Sequence, residues 1–135
     1  MGPVLTLYAP VSGRVEEAAA GAAVVHEGAG VVAAPTRGTV SRLEACGLVL
    51  TDLRGRSVGV QISSDAGEVV PLVADGDQAG FDQPLFRLDA SDAEARFTVT
   101  VVSLGNPDVL LHAEPGAEVA AGADLVSVGP FACGA

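Results

Sequence analysis

Two side chains with chemical potential lie fifteen residues apart, Cys46 and Gln61, with Asp65 four residues further on. A thiolate is a strong nucleophile, but a free thiol has a pKa of about 8.5 and needs a nearby cation, metal or helix N-terminus to ionise readily. The cations closest in sequence to Cys46 are Arg42, Arg54 and Arg56. An amide has no comparable nucleophile, because its nitrogen lone pair is delocalised into the carbonyl, so Gln61 can donate a hydrogen bond to an anion but not attack. Three further residues complete the inventory: His26 in V-V-H-E-G, His112 in L-L-H-A-E and Cys133 in the tail G-P-F-A-C-G-A. Each histidine is expected to be solvated or structurally bonded, and Cys133 to be idle in a mobile tail. The chain has no C-x-x-C, H-x-H or H-E-x-x-H, so neither a zinc site nor a cofactor is expected.

The element that must position Cys46 and Gln61 is a hairpin. Leu48 to Leu50 and Val58 to Ile62 are β-prone runs flanking Asp52-Leu53-Arg54-Gly55-Arg56, a turn-forming stretch. The return strand brings Gln61 back beside Cys46. Seventeen glycines and eight prolines are scattered along 135 residues, which interrupts every candidate helix and suits many short strands joined by tight turns.

Upstream, L-T-L-Y-A-P-V-S-G-R-V reads as a strand, a turn from Pro10 to Gly13 and a second strand. Glu16 to Ala23 is Ala-rich and reads as a helical turn or a loop. Val24-Val25 and Val31 to Ala33 flank Gly28-Ala29-Gly30, a second hairpin in expectation. Downstream, Ser91-Asp92-Ala93-Glu94 has the pattern of a capping box opening at most two helical turns. Phe97 to Leu104 alternates as one long strand, which Asn106-Pro107 ends.

Two echoes run through the chain. A-P-V-S-G-R-V returns 25 residues later as A-P-T-R-G-T-V, Ala34 to Val40, and Gly76 to Leu88 pairs with Gly116 to Val128 forty residues on. In the second pair Gly76 matches Gly116, Asp82 matches Gly122 and Leu85 matches Leu125, so each copy sets turn-formers at fixed offsets before an apolar strand. The expected fold is therefore all-β, an antiparallel sandwich or distorted barrel with internal pseudo-symmetry and at most one or two short helical turns. It forms one domain over residues 1–128, followed by a flexible tail, 129–135.

Composition narrows the function. The formal charge is −10 and all seven cations are arginine, so phosphate-backbone binding to nucleic acid is not expected. No 18-residue apolar run and no cationic leader precede the first strand, and the expectation is a cytoplasmic protein without membrane insertion. With no lysine, the chain cannot carry biotin or lipoate as the β-domains that share such turns do. It also lacks the histidines that lysostaphin-type zinc peptidases need.

Five short motifs in order resemble the glucose-type enzyme IIA domain of the bacterial phosphotransferase system, over nearly the full chain. L-Y-A-P-V-S-G-R-V is similar to that family's first strand and turn, and Ala34 to Val40 to its A-P-V-D-G-T-V. Gly55 to Asp65 lies along G-V-E-x-L-x-H-I-G-x-D, Ala74 to Asp89 along E-x-G-x-x-V-x-x-G-D-x-L-x-x-x-D, and Thr98 to Asn106 along T-x-V-V-x-x-N. The resemblance implies a site of two histidines on neighbouring strands. One takes phosphate from the carrier protein HPr; the other hydrogen-bonds that phosphate. The first falls on Gln61 and the second on Cys46, so both histidines are absent; the family's Asp is kept as Asp65, in a supporting place, but the T-V after it has become Ala66-Gly67. The loop before Gly28 is shorter than the family's and lacks its V-P-D-x-V-F segment.

Neutral imidazole accepts phosphate near neutral pH and an amide does not, so a degenerate phosphotransferase component follows: a protein-binding or regulatory module rather than an enzyme. Its partner, an HPr-like, IIB-like or regulated protein, is expected to dock near Cys46 and Gln61 on a face built from Leu48, Val58, Val60 and Ile62, with Cys46 a small, partly buried residue in the former pocket. Two alternatives stay open. One is an active phosphocarrier using Cys46, since cysteine carries phosphate in IIB domains. The other is a scaffold repurposed for an unrelated pathway.

Overall fold

The computed structural model describes residues 5–105 and 108–129, and these form fourteen strands and no helix. Accordingly, no helix among the described residues is long and apolar enough to cross a membrane. The strands are β1 (Leu5–Tyr8), β2 (Gly13–Ala18), β3 (Gly21–Glu27), β4 (Gly30–Ala33), β5 (Gly38–Glu44), β6 (Gly47–Thr51) and β7 (Ser57–Ser64). They continue with β8 (Glu68–Pro71), β9 (Gln78–Ala79), β10 (Pro84–Asp89), β11 (Arg96–Leu104), β12 (Val109–Leu111), β13 (Glu118–Val119) and β14 (Asp124–Val128).

An antiparallel eight-stranded sheet has the order β13-β2-β3-β11-β7-β6-β5-β9, and two three-stranded sheets, β1-β14-β12 and β4-β10-β8, complete the structure. The long order is a palindrome of equivalents. Strands β2 and β5 carry the paired A-P-x-x-G-x-V segments, and β13 and β9 the paired Gly-led segments. The sequence echoes are thus a pseudo-two-fold of the sheet, with β7 beside β11 at its centre.

The centre is held by period-two alternation. Along β11, Phe97, Val99 and Val101 are fully buried while Thr98, Thr100 and Val102 stay partly open. Val60 pairs with Val101 and Ile62 with Val99, so the inward faces of β7 and β11 form one apolar layer against Phe86, Leu88 and Leu125. Burying side chains of this size stabilises by about 1.5–3 kcal/mol each.

The second echo is reproduced bond for bond. Gly76 and Gly116 both take φ +90, a left-handed conformation that glycine adopts without a Cβ penalty. Their amides donate to Val40 and Val15 carbonyls at 2.8 and 2.7 Å, and those residues' amides donate back to Asp77 and Ala117. Asp82 and Gly122 are likewise both left-handed, and Leu85 and Leu125 are both fully buried.

Three local expectations are corrected. Glu16 to Ala23 is neither loop nor helix: β2 runs to Ala18, a two-residue turn at Ala19 and Ala20 follows, and β3 starts at Gly21. Alanine-rich sequence favours helix intrinsically, but here both strands gain partners and Ala22 is fully buried. The segments around Gly28 to Gly30 are strands β3 and β4, yet they do not pair with each other. Strand β3 pairs with β2 and β11, and β4 with β10, so this turn moves the chain between sheets. Ser91 to Glu94 opens no helix. Asp92 receives the Glu94 amide on its carboxylate at 2.8 Å and the Ala95 amide on its carbonyl at 3.1 Å, a closed Asx turn. Asn106, Pro107 and Cys133 lie outside the described residues.

Backbone approach sets one glycine apart from the turn glycines. A Cβ on Gly21 would stand 1.9 Å from the Val101 carbonyl oxygen, whereas one on Gly76 would meet nothing within 4 Å. Gly21→Ala is therefore expected to cost about 3 kcal/mol or more, by forcing β3 away from β11. Gly76→Ala should cost only about 1–2 kcal/mol, from its left-handed φ alone. Urea denaturation midpoints would check the difference; equal losses would refute this packing of β3 on β11.

Candidate functional site

The hairpin of β6 and β7 is built around Asp52. One carboxylate oxygen accepts the amides of Arg54 and Arg56, both at 2.9 Å, and the other accepts the Arg56 Nε–H at 2.7 Å. Burial pushes the Asp52 pKa up. The Arg56 amide, the Arg56 guanidinium, the Arg54 amide and the Arg56 charge together outweigh it and hold the carboxyl below its ordinary value of 3.8. This turn fixes the register in which Gly47 faces Gln61 and Leu48 faces Val60.

At the other end of the hairpin, Cys46 occupies the turn between β5 and β6. Its carbonyl accepts the Ile62 amide at 2.8 Å, and Gln61 on β7 lies opposite Gly47 on β6 and opposite Thr100 on β11. The structure thus brings Cys46 and Gln61 to one corner, a single register step apart. Both are exposed. Cys46 is therefore not the partly buried filler of a former pocket; its two-residue turn projects it out of the sheet.

The cations expected to serve Cys46 are distributed otherwise. Arg54 and Arg56 sit at the far turn, a five-residue strand or about 16 Å away, and Arg56 is paired with Asp52. Arg42 is closer, exposed at a β-bulge in β5 with φ +50, where the Asp75 carboxylate accepts the next amide, Leu43, at 2.9 Å. Asp65 is also engaged. Its carboxylate accepts the Arg96 amide at 3.0 Å, tying the end of β7 to β11 rather than reaching toward Gln61.

Neither histidine approaches the corner. His26 Nδ1 lies 2.8 Å from the Ser12 carbonyl and Nε2 lies 3.1 Å from the Ala29 carbonyl, so both nitrogens face backbone acceptors. His112 Nε2 is bonded to Ser127 Oγ. Among the described residues no three His, Cys, Asp or Glu side chains converge as a metal ion would require.

The expected docking face is corrected by the pleat. Leu48, Val58, Val60 and Ile62 are 3%, 1%, 0% and 6% exposed, and all belong to the core. Gln61 has the opposite parity, and the surface it shares comprises Gly59 and Ser63 on β7, Val49 on β6, and Thr98, Thr100 and Val102 on β11. The leucine that the enzyme IIA motif places two residues ahead of its histidine is Gly59, on this same outward face.

A duplicate of the corner escapes a motif reading. Ala19-Ala20-Gly21 repeats Ala45-Cys46-Gly47: each is a two-residue turn, and the Ala20 carbonyl accepts the Ser103 amide at 2.8 Å as the Cys46 carbonyl accepts that of Ile62. The only sequence signal is A-A-G against A-C-G, 26 residues apart. The backbone of the corner is thus a property of the duplicated fold, and its chemistry resides in side chains alone.

No family model matches the sequence, and no curated protein matches it. The structure is similar to glucose permease IIA from Mycoplasma capricolum, with a TM-score of 0.67 at 13% sequence identity, over 93% of this chain and 96% of that one. The architecture is therefore the glucose-type enzyme IIA fold that the five short motifs imply.

Because Asp52 closes the hairpin that carries the corner, Asp52→Ala should lower stability by about 1–2 kcal/mol near neutral pH. A folded pKa below the unfolded one contributes stability that is fully present above the unfolded value and is lost as pH falls through the folded value. The gap between wild type and variant should thus be constant above about pH 5 and close in acid below pH 3.8. Denaturant titrations at several pH values would measure it, and a gap that widens in acid would contradict the assignment.

Proposed function

We propose that this chain is an enzyme IIA-type protein that does not carry phosphate on histidine and acts by binding another protein through the outward face around Gln61. The carrying observation is the composition of the corner: an amide and a thiol stand at the two positions that the family resemblance assigns to imidazoles, and both histidines of the chain are engaged elsewhere. The amide offers no nucleophilic lone pair. The residues around Gln61 on this face are a sheet surface of Val49, Ser63, Thr98, Thr100 and Val102, which suits contact with a broad partner rather than enclosure of a small substrate. An HPr-like, IIB-like or regulated protein fits this reading.

The exposure of Cys46 supports one second reading, transfer of phosphate to its sulfur. In that step the thiolate attacks the phosphorus of a phosphohistidine, the P–N bond breaks, and the donor imidazole leaves with the electron pair and takes a proton.

Incubation of the full chain with phosphoenolpyruvate, enzyme I and HPr separates the two. The expected intact mass shows no added phosphoryl group, with an authentic enzyme IIA as positive control. A stoichiometric gain abolished by Cys46→Ser would overturn the binding-only reading and establish the cysteine carrier.

A further inference from the structure

The distribution of charge over the eight-stranded sheet is uneven. On the four central strands β3, β11, β7 and β6, the outward positions between the strand ends carry only Gly, Ala, Val, Ser, Thr and Gln. Charges enter at the margin, and in couples of opposite sign. Arg96 and Glu27 stand 3.9 Å apart at one end, Arg14 and Glu16 are 3.4 Å apart on flanking β2, and Arg42 and Glu44 are carried on flanking β5. Glu118 on β13, opposite Arg14, and Asp65 at the end of β7 also stand at this margin, so three of the seven arginines and five of the seventeen acids border the face, leaving four against twelve elsewhere. Most of the −10 therefore lies away from the face, and none of it on the central outward positions.

We propose that this face docks a second copy of the same chain. Two molecules of charge −10 repel over most of their surfaces, and this is the surface on which they can meet without burying like charges. Its chemistry is also self-complementary. Thr98, Thr100, Ser63 and Gln61 each carry both a donor and an acceptor, so a copy rotated by a two-fold can satisfy them, and Val49 and Val102 supply apolar contact between them. Leu104, 44% exposed at the end of β11, adds a larger apolar side chain at the edge of the same face. Four strands about 4.8 Å apart, with outward positions about 6.6 Å apart, offer roughly 500 Å² per copy and about 1,000 Å² in total, the lower bound of specific interfaces. The dimer is accordingly weak and exchanging, and it strengthens with salt because screening removes the repulsion between the charged flanks.

This inference rests on the reading of the face as the binding surface, but it is independent of whether Cys46 carries phosphate, so the phosphorylation assay and the following test can fail separately. Sedimentation of the full chain at concentrations up to about 1 mM, in low and high salt, is expected to show a monomer–dimer equilibrium on the 13.4 kDa chain that shifts toward dimer as salt rises. Thr100→Glu places a carboxylate at the middle of the face, points outward from β11 and should leave the melting temperature little changed while weakening self-association at least tenfold. Ser91→Glu, off the face, should leave association unchanged. A chain monomeric under all these conditions overturns the proposal. So does a dimer indifferent to Thr100→Glu, or one that dissolves as salt rises, which would indicate attraction between opposite charges at another surface.

Discussion

Two alanine–proline corners hold each other in place, and the rest of the molecule is arranged around them. The Tyr8 amide donates to the Pro35 carbonyl at 3.0 Å, and the Ala33 amide donates to the Pro10 carbonyl at 2.8 Å. Residues 8 and 33 are equivalent under the 25-residue echo, as are prolines 10 and 35, so this is one contact made twice across the pseudo-two-fold. The alanines between them are each 2% exposed and donate to the Ala123 and Gln83 carbonyls at 2.7 and 2.8 Å. The physical demands are specific. Proline brings no amide that would need a partner at the crossing and keeps the residue before it extended, while alanine lets two backbones approach closely. Once the crossing is made, β1 and β4 lie in separate three-stranded sheets, β2 and β5 feed opposite halves of the eight-stranded sheet, and β7 and β11 meet in the middle.

That arrangement explains why so much was legible in short sequence segments. The A-P-x-x-G echo and the Gly76/Gly116 echo survive because each position answers a backbone requirement: a left-handed turn, a missing amide, a close approach. The Cys46 to Asp65 hairpin was legible for the same reason, since Asp52 followed by Gly55 dictates a turn chemically. Pairings between distant segments were not. Nothing local distinguishes a β3 that returns on β4 from a β3 that pairs with β11, seventy residues away, because both satisfy the same alternation of Val and Ala.

The hairpin geometry was legible, and the direction of its faces was misread. Cys46 and Gln61 do share a corner, but the apolar residues chosen as its surroundings point the other way. In a run such as V-G-V-Q-I, hydrophobicity marks the side facing the core, and the residues that flank Gln61 outward are the glycine and serines a hydrophobicity reading passes over. The Ala-rich stretch from Glu16 was misread through a related ambiguity. Alanine favours helix in isolation, yet it is also small enough to be buried where two strands cross the core closely, and tertiary pairing decided the matter.

The twin corner bears on how chemistry arises and disappears on this fold. Ala20 and Cys46 occupy equivalent turns, each offering its carbonyl to the strand beside it at the same 2.8 Å. A backbone requirement met twice cannot by itself mark a catalytic position, since one copy presents only a methyl group. What distinguishes a phosphate-carrying corner is a pair of side chains with lone pairs available near neutral pH, and such side chains contribute almost nothing to the turn that presents them. A thiol and an amide at these positions are therefore compatible with the hairpin, the sheet order and the crossing. The same independence lets the outward face carry an uncharged, hydroxyl-bearing surface over an apolar core. Fold and chemistry are separable here because the pleat puts them on opposite sides of the same strands.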